Sequence, residues 1–217
     1  MGYILNILNS TEVSIMIKIT NLTKKYKNKV ILNDLSYDFD THGFYIIKGY
    51  NGAGKTTLAN ILALLDFNFD GKVELDDVNI KKIRNINKIR NERISYIMPK
   101  NNLFSFLNVS ENITYFNKEY DDNLVKNIDT SKSINELSGG EKLLVTLTRV
   151  LNSSKDIIIL DEITSQLDKA HTLLVLNYLK ELQKTKLIIL ISHDARVLNN
   201  NNVITLDLKE GKLYDCN

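Results

Sequence analysis

A glycine-rich run that ends in lysine and threonine carries the clearest chemistry in this sequence. Gly49, Gly54, Lys55 and Thr56 satisfy the pattern Gly-x4-Gly-Lys-Thr, between a predicted strand and a predicted helix. Glycines let the backbone curl so that successive N–H groups point at phosphate oxygens, and the helix that follows adds the positive end of its dipole. We expect Lys55 to reach the β- and γ-phosphates of a nucleoside triphosphate and Thr56 to ligate Mg²⁺. The predicted phosphate-binding residues are Gly49, Tyr50, Asn51, Gly52, Ala53, Gly54, Lys55, Thr56 and Thr57.

Two carboxylates follow an apolar run farther along the chain. Residues 157–160 are three isoleucines and a leucine, and Asp161 and Glu162 come next. Because ligands of parallel sheets bind at the carboxyl ends of the strands, we expect both side chains at the same edge as the phosphate loop. Asp161 would hold the water shell of Mg²⁺, and Glu162 would orient or deprotonate the attacking water. Taken alone, the aspartate can also be a helix or turn cap. Beside a phosphate loop, the pair predicts hydrolysis of the triphosphate.

The elements that must position these groups alternate between strands and helices. Runs that are apolar throughout are typical of strands covered on both faces of a parallel sheet. The predicted strands are 17–20, 30–32, 35–39, 44–48, 156–160 and 186–191, with a hairpin at 203–208 and 212–214, and the predicted helices are 57–65, 81–93, 141–151 and 170–184. The basic helix at 81–93 lacks interleaved aromatic residues, which favours a solvated face over a nucleic-acid surface.

Composition limits the classes of protein that this chain can belong to. Its 217 residues fit one domain, and a net charge of +2 does not call for a nucleic-acid partner. A single cysteine, Cys216, allows no disulfide framework and suits a reducing compartment. No run approaches the roughly 20 apolar residues of a membrane span. We predict an N-terminal extension at residues 1–15, which has no Lys or Arg, and one domain at 16–217.

Five further motifs, in order, resemble the nucleotide-binding domain of the ATP-binding cassette (ABC) transporter family. The signature sequence of that family matches residues 137–141, Leu-Ser-Gly-Gly-Glu, and the aromatic residue that stacks on adenine matches Tyr26. Residues 165–168 resemble the D-loop with Asp168, and 192–194 the switch segment with His193. Residues 108–113 resemble the start of the helical subdomain. The resemblance implies an α/β P-loop NTPase fold with a mostly parallel sheet, an antiparallel β subdomain and a small, shortened helical subdomain at about 101–152.

The resemblance also implies a head-to-tail dimer that closes on two molecules of Mg-ATP. The trans signature residues would face the γ-phosphate held by Lys55 of the other subunit, and His193 would contact that phosphate as a catalytic switch. From the residues alone, the signature segment can also be a helix cap, and a lone histidine after a buried strand is more often structural. The predicted trans signature residues are Ser138, Gly139, Gly140 and Glu141.

The sequence departs from the family pattern in three places. Lys100 stands where the family has a glutamine that touches Mg²⁺ and the attacking water, and an ammonium cannot ligate a cation. We hypothesise that Lys100 either swings away or contacts phosphate instead. Residues 142–144, Lys-Leu-Leu, replace a polar pair after the signature, and the stretch between Lys100 and Leu137 is short for the family.

The leading prediction is an ATP-hydrolysing transporter subunit that dimerises on Mg-ATP and drives a separate transmembrane permease. The second nucleotide-binding subunit could be identical or different, and we expect no nucleic-acid partner. The resemblance places the chain at the cytoplasmic face of a membrane, held there by its partner. The shortened helical region and Lys100 favour, by analogy, export of peptides or lipids. The alternatives are a soluble ABC ATPase without a transport role and a weakly hydrolytic regulatory ATP-binding module.

Overall fold

The computed structural model describes residues 15–98, 103–115, 118–198 and 203–216, and the chain there forms two β-sheets. The smaller sheet has four strands in the order β2-β1-β4-β5, and the pairs are antiparallel. Its strands are β1 (Ile15–Tyr26), β2 (Lys29–Asp40), β4 (Asp70–Leu75) and β5 (Val78–Asn79). This sheet is the antiparallel subdomain that the sequence predicts.

The larger sheet has six strands in the order β10-β9-β3-β8-β7-β6. All neighbouring pairs are parallel except the terminal hairpin of β9 and β10. The strands are β3 (Gly43–Lys48), β6 (Ile94–Ile97), β7 (Ile157–Asp161), β8 (Leu187–Ile191), β9 (Ile204–Lys209) and β10 (Lys212–Asp215). Because β3, β7 and β8 run in one direction as neighbours, the groups that follow them share one edge.

Six α-helices and three short 3₁₀ helices connect the described strands. The α-helices are α1 (Lys55–Leu62), α2 (Ile86–Arg93), α3 (Val109–Thr114), α4 (Gly139–Leu151), α5 (Lys169–Leu182) and α6 (Ala195–Leu198). Side-chain caps fix four of the starts: Asn85 begins α2, Asn108 begins α3, Ser138 begins α4 and Asp168 begins α5. The 3₁₀ helices are Ile80–Lys82, Ile134–Glu136 and Ile163–Gln166.

Apolar side chains cover the large sheet on both faces. On one face, alternate residues of β7 and β8, such as Ile159 and Ile189, pack with α1 and the small sheet. On the other face, their neighbours, such as Ile158 and Ile188, pack with α3, α4 and α5. A strand whose side chains are buried on both faces must be apolar throughout, which is the pattern in the sequence.

The predicted helix at 81–93 is wrong over its first part. The chain forms a 3₁₀ turn at Ile80–Lys82, becomes extended at Ile83, and starts α2 only at Ile86. The Asn79 and Asn85 side chains each accept a backbone N–H, from Lys81 and Lys88, so two separate caps replace one continuous helix. The isoleucine spacing is real, but it serves packing against the small sheet and α1.

The predicted break between two strands at 30–39 is also wrong. The chain runs on as β2, and Asp34 takes up the irregularity with a positive φ of 51°. Its backbone N–H donates to the Thr23 side chain of the neighbouring strand, so the irregular position keeps a partner. Within the described residues no helix is long and apolar enough to cross a bilayer. The predicted boundaries at 1–15, 16–217 and 101–152 stay predictions.

Candidate functional site

The phosphate loop joins the end of β3 to the start of α1, and its glycines meet specific steric demands. Gly49 has a φ of 153°, and a Cβ there would lie 2.6 Å from the Leu208 carbonyl oxygen. Gly54, with a φ of 103°, caps α1, and its Cβ would lie 2.8 Å from the Ile31 side chain. Another residue at either position would push the loop away from β2 and β9. The curled loop therefore depends on glycine.

Lys55 is the first residue of α1 and is only 7% exposed. Its ammonium donates hydrogen bonds to the carbonyl oxygens of Gly49 at 2.9 Å and Tyr50 at 3.2 Å. Glu162 lies beside it, with Oε1 4.0 Å from Nζ. The loop therefore surrounds a buried positive charge at the N-terminal end of a helix, an arrangement that attracts anions.

Asp161 ends β7 and faces this loop. Its Oδ2 accepts hydrogen bonds from the hydroxyls of Thr56 at 2.9 Å and Tyr96 at 3.4 Å. Its Oδ1 is buried and has no hydrogen-bond partner among the described residues. Burial raises the pKa of Asp161, and the Glu162 charge adds to this, while the Thr56 hydrogen bond opposes it. A buried, partly unsatisfied carboxylate oxygen beside a hydroxyl suits a hard cation.

Glu162 and His193 form a pair that bridges two neighbouring strand ends. Glu162 adopts a left-handed φ of 52°, and its backbone N–H donates to Ile191, the last residue of β8, at 3.0 Å. Its carboxylate lies 2.8 Å from Nδ1 of His193, which follows β8. A non-glycine residue at positive φ costs about 1 kcal/mol, so the surrounding contacts hold Glu162 in this orientation. Sequence-predicted residues from two separate strand ends therefore meet.

An open cavity of about 470 Å³ extends from Lys55 along the loop to Tyr26. Tyr26 ends β1, and its ring is 48% exposed. The cavity has room for a nucleotide, with the loop at one end and an aromatic ring among its walls. Its lining residues are Tyr26, Lys29, Ile31, Asn51, Gly52, Gly54, Lys55, Thr56, Thr57 and Glu162.

The signature segment lies at the start of α4 and is not among the described residues that line this cavity. Ser138 and Glu141 form a reciprocal capping box, with the Ser138 N–H donating to Glu141 at 2.8 Å and the Glu141 N–H to Ser138 at 3.2 Å. A Cβ on Gly139 would meet nothing within 4 Å, and one on Gly140 only ordinary contacts. No packing within the described chain requires glycine at either position.

Asp168 lies in the segment between β7 and α5 and caps that helix. Its Oδ1 accepts the backbone N–H of His171 at 2.8 Å, and its Oδ2 lies 3.0 Å from the His171 ring. The backbone hydrogen bond from His171 is the main reason why the pKa of Asp168 is lowered. His171, which has no predicted role, therefore contacts a predicted site residue.

Three contacts in this region were not predicted from the sequence. Tyr96 reaches Asp161 from β6, the neighbouring strand, and burial and the Asp161 charge raise its pKa. The guanidinium of Arg196 donates to the backbone carbonyls of Leu167 and Thr164, both at 3.1 Å, and so joins the switch segment to the D-loop. The hydroxyls of Thr164 and Ser192 lie 3.1 Å apart in the interior and link the same two segments.

A sequence signal existed for one of these contacts. Tyr96 belongs to a short, mostly buried strand, and Asp161 ends the strand beside it. The sequence does not give the register between β6 and β7, and that register decides that Tyr96 and Asp161 come together. Lys100 lies outside the described residues, so its hypothesis stays a prediction.

The parallel sheet, the phosphate loop and the acidic strand end together define a P-loop nucleoside triphosphatase. The sequence model of the ABC transporter family matches residues 32–165. A solved dimeric ATP-binding cassette in a post-hydrolysis state with ADP and Pi shares the fold at a TM-score of 0.78 and 25% identity, covering 91% of this chain and 96% of the other. An ATP-bound bacterial Atm1-family exporter also shares the fold at a TM-score of 0.77 and 21% identity, covering 92% of this chain and 38% of the other.

Curated relatives agree with this fold. The macrolide export ATP-binding/permease protein MacB of Campylobacter jejuni is 29% identical over 91% of this chain, which spans 33% of that protein's length. The lipoprotein-releasing system ATP-binding protein LolD of Buchnera aphidicola is 30% identical over 93% of this chain and 97% of its own. The methionine import protein MetN 2 of Bacillus cereus is 31% identical over 92% of this chain and 67% of its own.

The chain belongs to the ABC transporter family. It is an ATP-binding cassette, and the predictions of ATP binding and ATP hydrolysis are confirmed. The predicted fold class is confirmed as well.

Proposed function

We propose that this chain uses ATP hydrolysis, in a dimer of cassettes, to drive a transmembrane partner. The observation that carries the proposal is a cluster of polar side chains from three parts of the chain, which meet at one edge of the sheet. Its members are Lys55 and Thr56 at the start of α1, Asp161 and Glu162 at the end of β7, and His193 after β8. The proposed ATPase domain is 16–217, with a helical subdomain at about 101–152. In that subdomain α3 and α4 contact each other and share a core with the large sheet.

ATP would lie along the cavity with its phosphates at the loop and its base at Tyr26. The loop N–H groups and the start of α1 would surround the phosphates. The Lys55 ammonium has three donors, and two of them now hold the Gly49 and Tyr50 carbonyls, so it is already aimed at the loop. The loop residues from Gly49 to Thr57 would contribute the rest of the phosphate contacts.

Thr56 and Asp161 are the residues that fit Mg²⁺. The Thr56 hydroxyl donates a hydrogen bond to Asp161, which leaves the oxygen lone pairs of Thr56 for a metal. The buried Oδ1 of Asp161, without a hydrogen-bond partner among the described residues, supplies the negative charge that such a site needs. When bound, Mg²⁺ neutralises charge on the β- and γ-phosphate oxygens.

Glu162 is the proposed general base, and His193 its proposed partner. The carboxylate can accept a proton from a water that attacks the γ-phosphate, because it lies beside Lys55 at the phosphate end of the cavity. The ring of His193 lies against the same carboxylate and is exposed toward solvent. From there it can orient Glu162 and donate to a phosphate oxygen.

The dimer is the proposed reason for the glycines at the start of α4. Glycine is unfavourable in helices, and neither Gly139 nor Gly140 is required by packing within the described chain. A phosphate of the ATP bound to the other subunit could approach the exposed backbone N–H groups there, together with the Ser138 hydroxyl. Asp168, at the start of α5, would lie in the same interface.

An exposed aromatic cluster in the proposed helical subdomain is the best candidate contact with the transmembrane partner. Phe106 is 80% exposed, and Phe104 packs against it at 5.7 Å and against Tyr115 at 4.8 Å between ring centroids. Asn112, fully buried in α3, holds the loop by accepting the Phe104 N–H and donating to the Phe104 and Leu107 carbonyls. Large exposed aromatics on a fixed loop are typical of binding surfaces.

The transported substrate is a proposal at the level of class. The names of MacB, LolD and MetN cover export of macrolides, release of lipoproteins and import of methionine. The words 'export' and 'lipoprotein-releasing' in two of these names agree with our proposal of peptide or lipid export. The transmembrane permease would determine the substrate.

The deciding experiment uses Glu162→Gln protein loaded with Mg-ATP and immobilised, over which detergent-solubilised membranes of the source cell are passed. We expect a polytopic membrane protein to be retained with ATP and released with ADP. The Lys55→Ala variant is the control, because it loses the phosphate contacts. Retention of ribosomes or other soluble complexes would favour a soluble ABC ATPase. Retention of nothing, with slow turnover of the unaltered protein, would favour a regulatory module.

A further inference from the structure

A buried lysine lies next to the aromatic end of the nucleotide cavity. Lys24, two residues before Tyr26 on β1, is only 2% exposed. Its ammonium donates hydrogen bonds to Oδ1 of Asp66 at 2.9 Å and to the Asn68 carbonyl at 2.6 Å, and it forms an ion pair with Oδ2 of Asp66 at 2.7 Å. Burying an ammonium is costly, and these contacts offset that cost.

Asp66 connects this lysine to the ring of Tyr26. Its Oδ2 lies 3.4 Å from the Tyr26 hydroxyl, which donates to it, and its Oδ1 also accepts the Asn68 backbone N–H at 2.9 Å. Burial alone would raise the pKa of Asp66, but the hydrogen bonds from Lys24 and Asn68 outweigh it and lower that pKa. The carboxylate is therefore charged at neutral pH, and the Lys24–Asp66 pair is ionic.

The same lysine also contacts the tyrosine ring directly. The Lys24 ammonium lies over the ring, 4.9 Å from its centroid. A cation above one face of an aromatic ring is attracted by the ring's electrons. The ring is thus held at its hydroxyl by Asp66 and over a face by Lys24, while it remains part of the cavity wall.

Asp66 is itself attached to the helix that carries the phosphate loop. Helix α1 begins at Lys55, and just beyond its end the Asp66 backbone N–H donates to the Asn60 carbonyl at 3.2 Å. The ion pair therefore joins β1, which carries the ring, to α1, which carries the phosphate-binding lysine. The distance between the two ends of the cavity, at Tyr26 and at Lys55, depends on this connection.

We infer that Lys24 and Asp66 are positioning residues that hold the Tyr26 ring in register with the phosphate loop, so that a planar purine base and its triphosphate bind together. This inference rests on the proposed stacking of adenine on Tyr26. The pair acts on the base and not on the phosphates. A stacked base adds affinity only when the ring is already in place, because ordering a loose side chain costs entropy.

A ligand without a base separates this role from a structural one. The dissociation constants of ATP and of inorganic triphosphate are measured by calorimetry in EDTA, where hydrolysis does not proceed. We expect Asp66→Asn and Lys24→Met to weaken ATP about three- to tenfold and to leave inorganic triphosphate unchanged, while Tyr26→Ala sets the upper limit of the effect. Tyr26→Phe, which removes only the hydroxyl, should show a smaller loss for ATP.

Two control variants test whether the loss of ATP affinity is specific to the Lys24–Asp66 ion pair. Lys25→Met removes an exposed neighbouring lysine and should bind both ligands like the unaltered protein. Asp66→Glu keeps the charge and should recover part of the ATP affinity that Asp66→Asn loses. If Lys24→Met does not fold, Asp66→Asn and Tyr26→Phe carry the test.

The outcomes distinguish this inference from the proposed function. Unchanged ATP affinity in Asp66→Asn and Tyr26→Phe, or an equal loss for ATP and inorganic triphosphate, would overturn the positioning role. If Tyr26→Ala binds ATP as tightly as the unaltered protein, the proposed stacking fails first, and the positioning role fails with it. If ATP weakens alone and Asp66→Glu recovers it, the inference stands.

Discussion

At the end of β7, the Asp161 carboxylate suits cation binding but is unfavourable for the stability of the folded chain. Asp161 is buried, one of its oxygens accepts from Thr56 and Tyr96, and the other has no hydrogen-bond partner among the described residues. A charge in such a place destabilises the folded chain unless a cation is bound. Burial raises the pKa of Asp161, because it makes the charged form less favourable than the neutral form. Function therefore opposes stability at this residue.

Removal of the Asp161 charge should stabilise the nucleotide-free protein. The folded-state pKa lies above the unfolded value of about 3.9, so as pH rises the unfolded chain loses its proton first and stability falls until the folded group is also ionised. Asp161→Asn removes that fall, and in EDTA we expect a free energy of unfolding about 1 kcal/mol higher at neutral pH, with no ATPase activity. Urea unfolding from pH 4 to pH 8 measures it. A gain that does not shrink toward acid pH would contradict the explanation.

Lys100 gives a second test at the scale of one residue. Lys100→Gln restores the residue that the family resemblance leads us to expect, and an amide oxygen can ligate Mg²⁺ where an ammonium cannot. We expect a changed Mg²⁺ dependence of ATP hydrolysis and a changed turnover. Steady-state ATPase measurements across a magnesium titration decide it. No change in either quantity would remove Lys100 from the mechanism.

At the scale of elements, the start of α4 carries a glycine that no packing within the described chain requires. Ser138 and Glu141 satisfy the cap, while Gly139 has open space where a side chain would go. Helix α5 starts with a side-chain cap at Asp168, which also contacts the His171 ring. Both helix starts are therefore stable without a partner, and the glycine is the one feature that stability does not explain.

Gly139→Ala should separate stability from dimerisation. Alanine is the better helix former and meets no atom within 4 Å, so the isolated chain should gain up to about 1 kcal/mol in free energy of unfolding. In the Glu162→Gln background the same change should weaken ATP-driven dimerisation, which analytical ultracentrifugation measures. An unaltered dimer in Gly139→Ala would argue against a trans contact at α4.

At the scale of the whole molecule, we propose different partners for two surfaces. The catalytic edge of the large sheet carries the nucleotide cavity. The aromatic cluster consists of Phe104 and Phe106 on the loop held by α3, and of Tyr115 at the C-terminal end of that helix. Arg149 of α4 places its guanidinium 5.6 Å above the Phe104 ring, so the cluster rests on the helix that begins with the signature. A partner that moves the cluster could thereby act on α4.

Phe106→Asp should remove retention of the membrane partner without loss of ATP hydrolysis. The ring is 80% exposed, so a charge there costs the fold little while it disrupts an apolar interface. The matched control is Tyr214→Asp on β10, which changes an exposed aromatic residue elsewhere. Membrane retention and ATPase activity are measured on the same preparations. Equal retention in Phe106→Asp and in the control would exclude the cluster as the docking surface.

The sequence by itself determined the chemistry of the site and the class of the fold. Gly49, Gly54, Lys55 and Thr56 had the required spacing, and an unbroken apolar run ahead of Asp161 predicted a strand of a parallel sheet, because both signals are local. The tertiary structure decided which distant residues meet. Tyr96 reaches Asp161 through strand register, and Lys24 of β1 reaches Asp66, 42 residues later, in the segment that follows α1. Such contacts have no local signal, because a lysine in a strand and an aspartate after a helix are both common. Only the folded chain buries the two charges next to each other, so that each becomes the partner of the other.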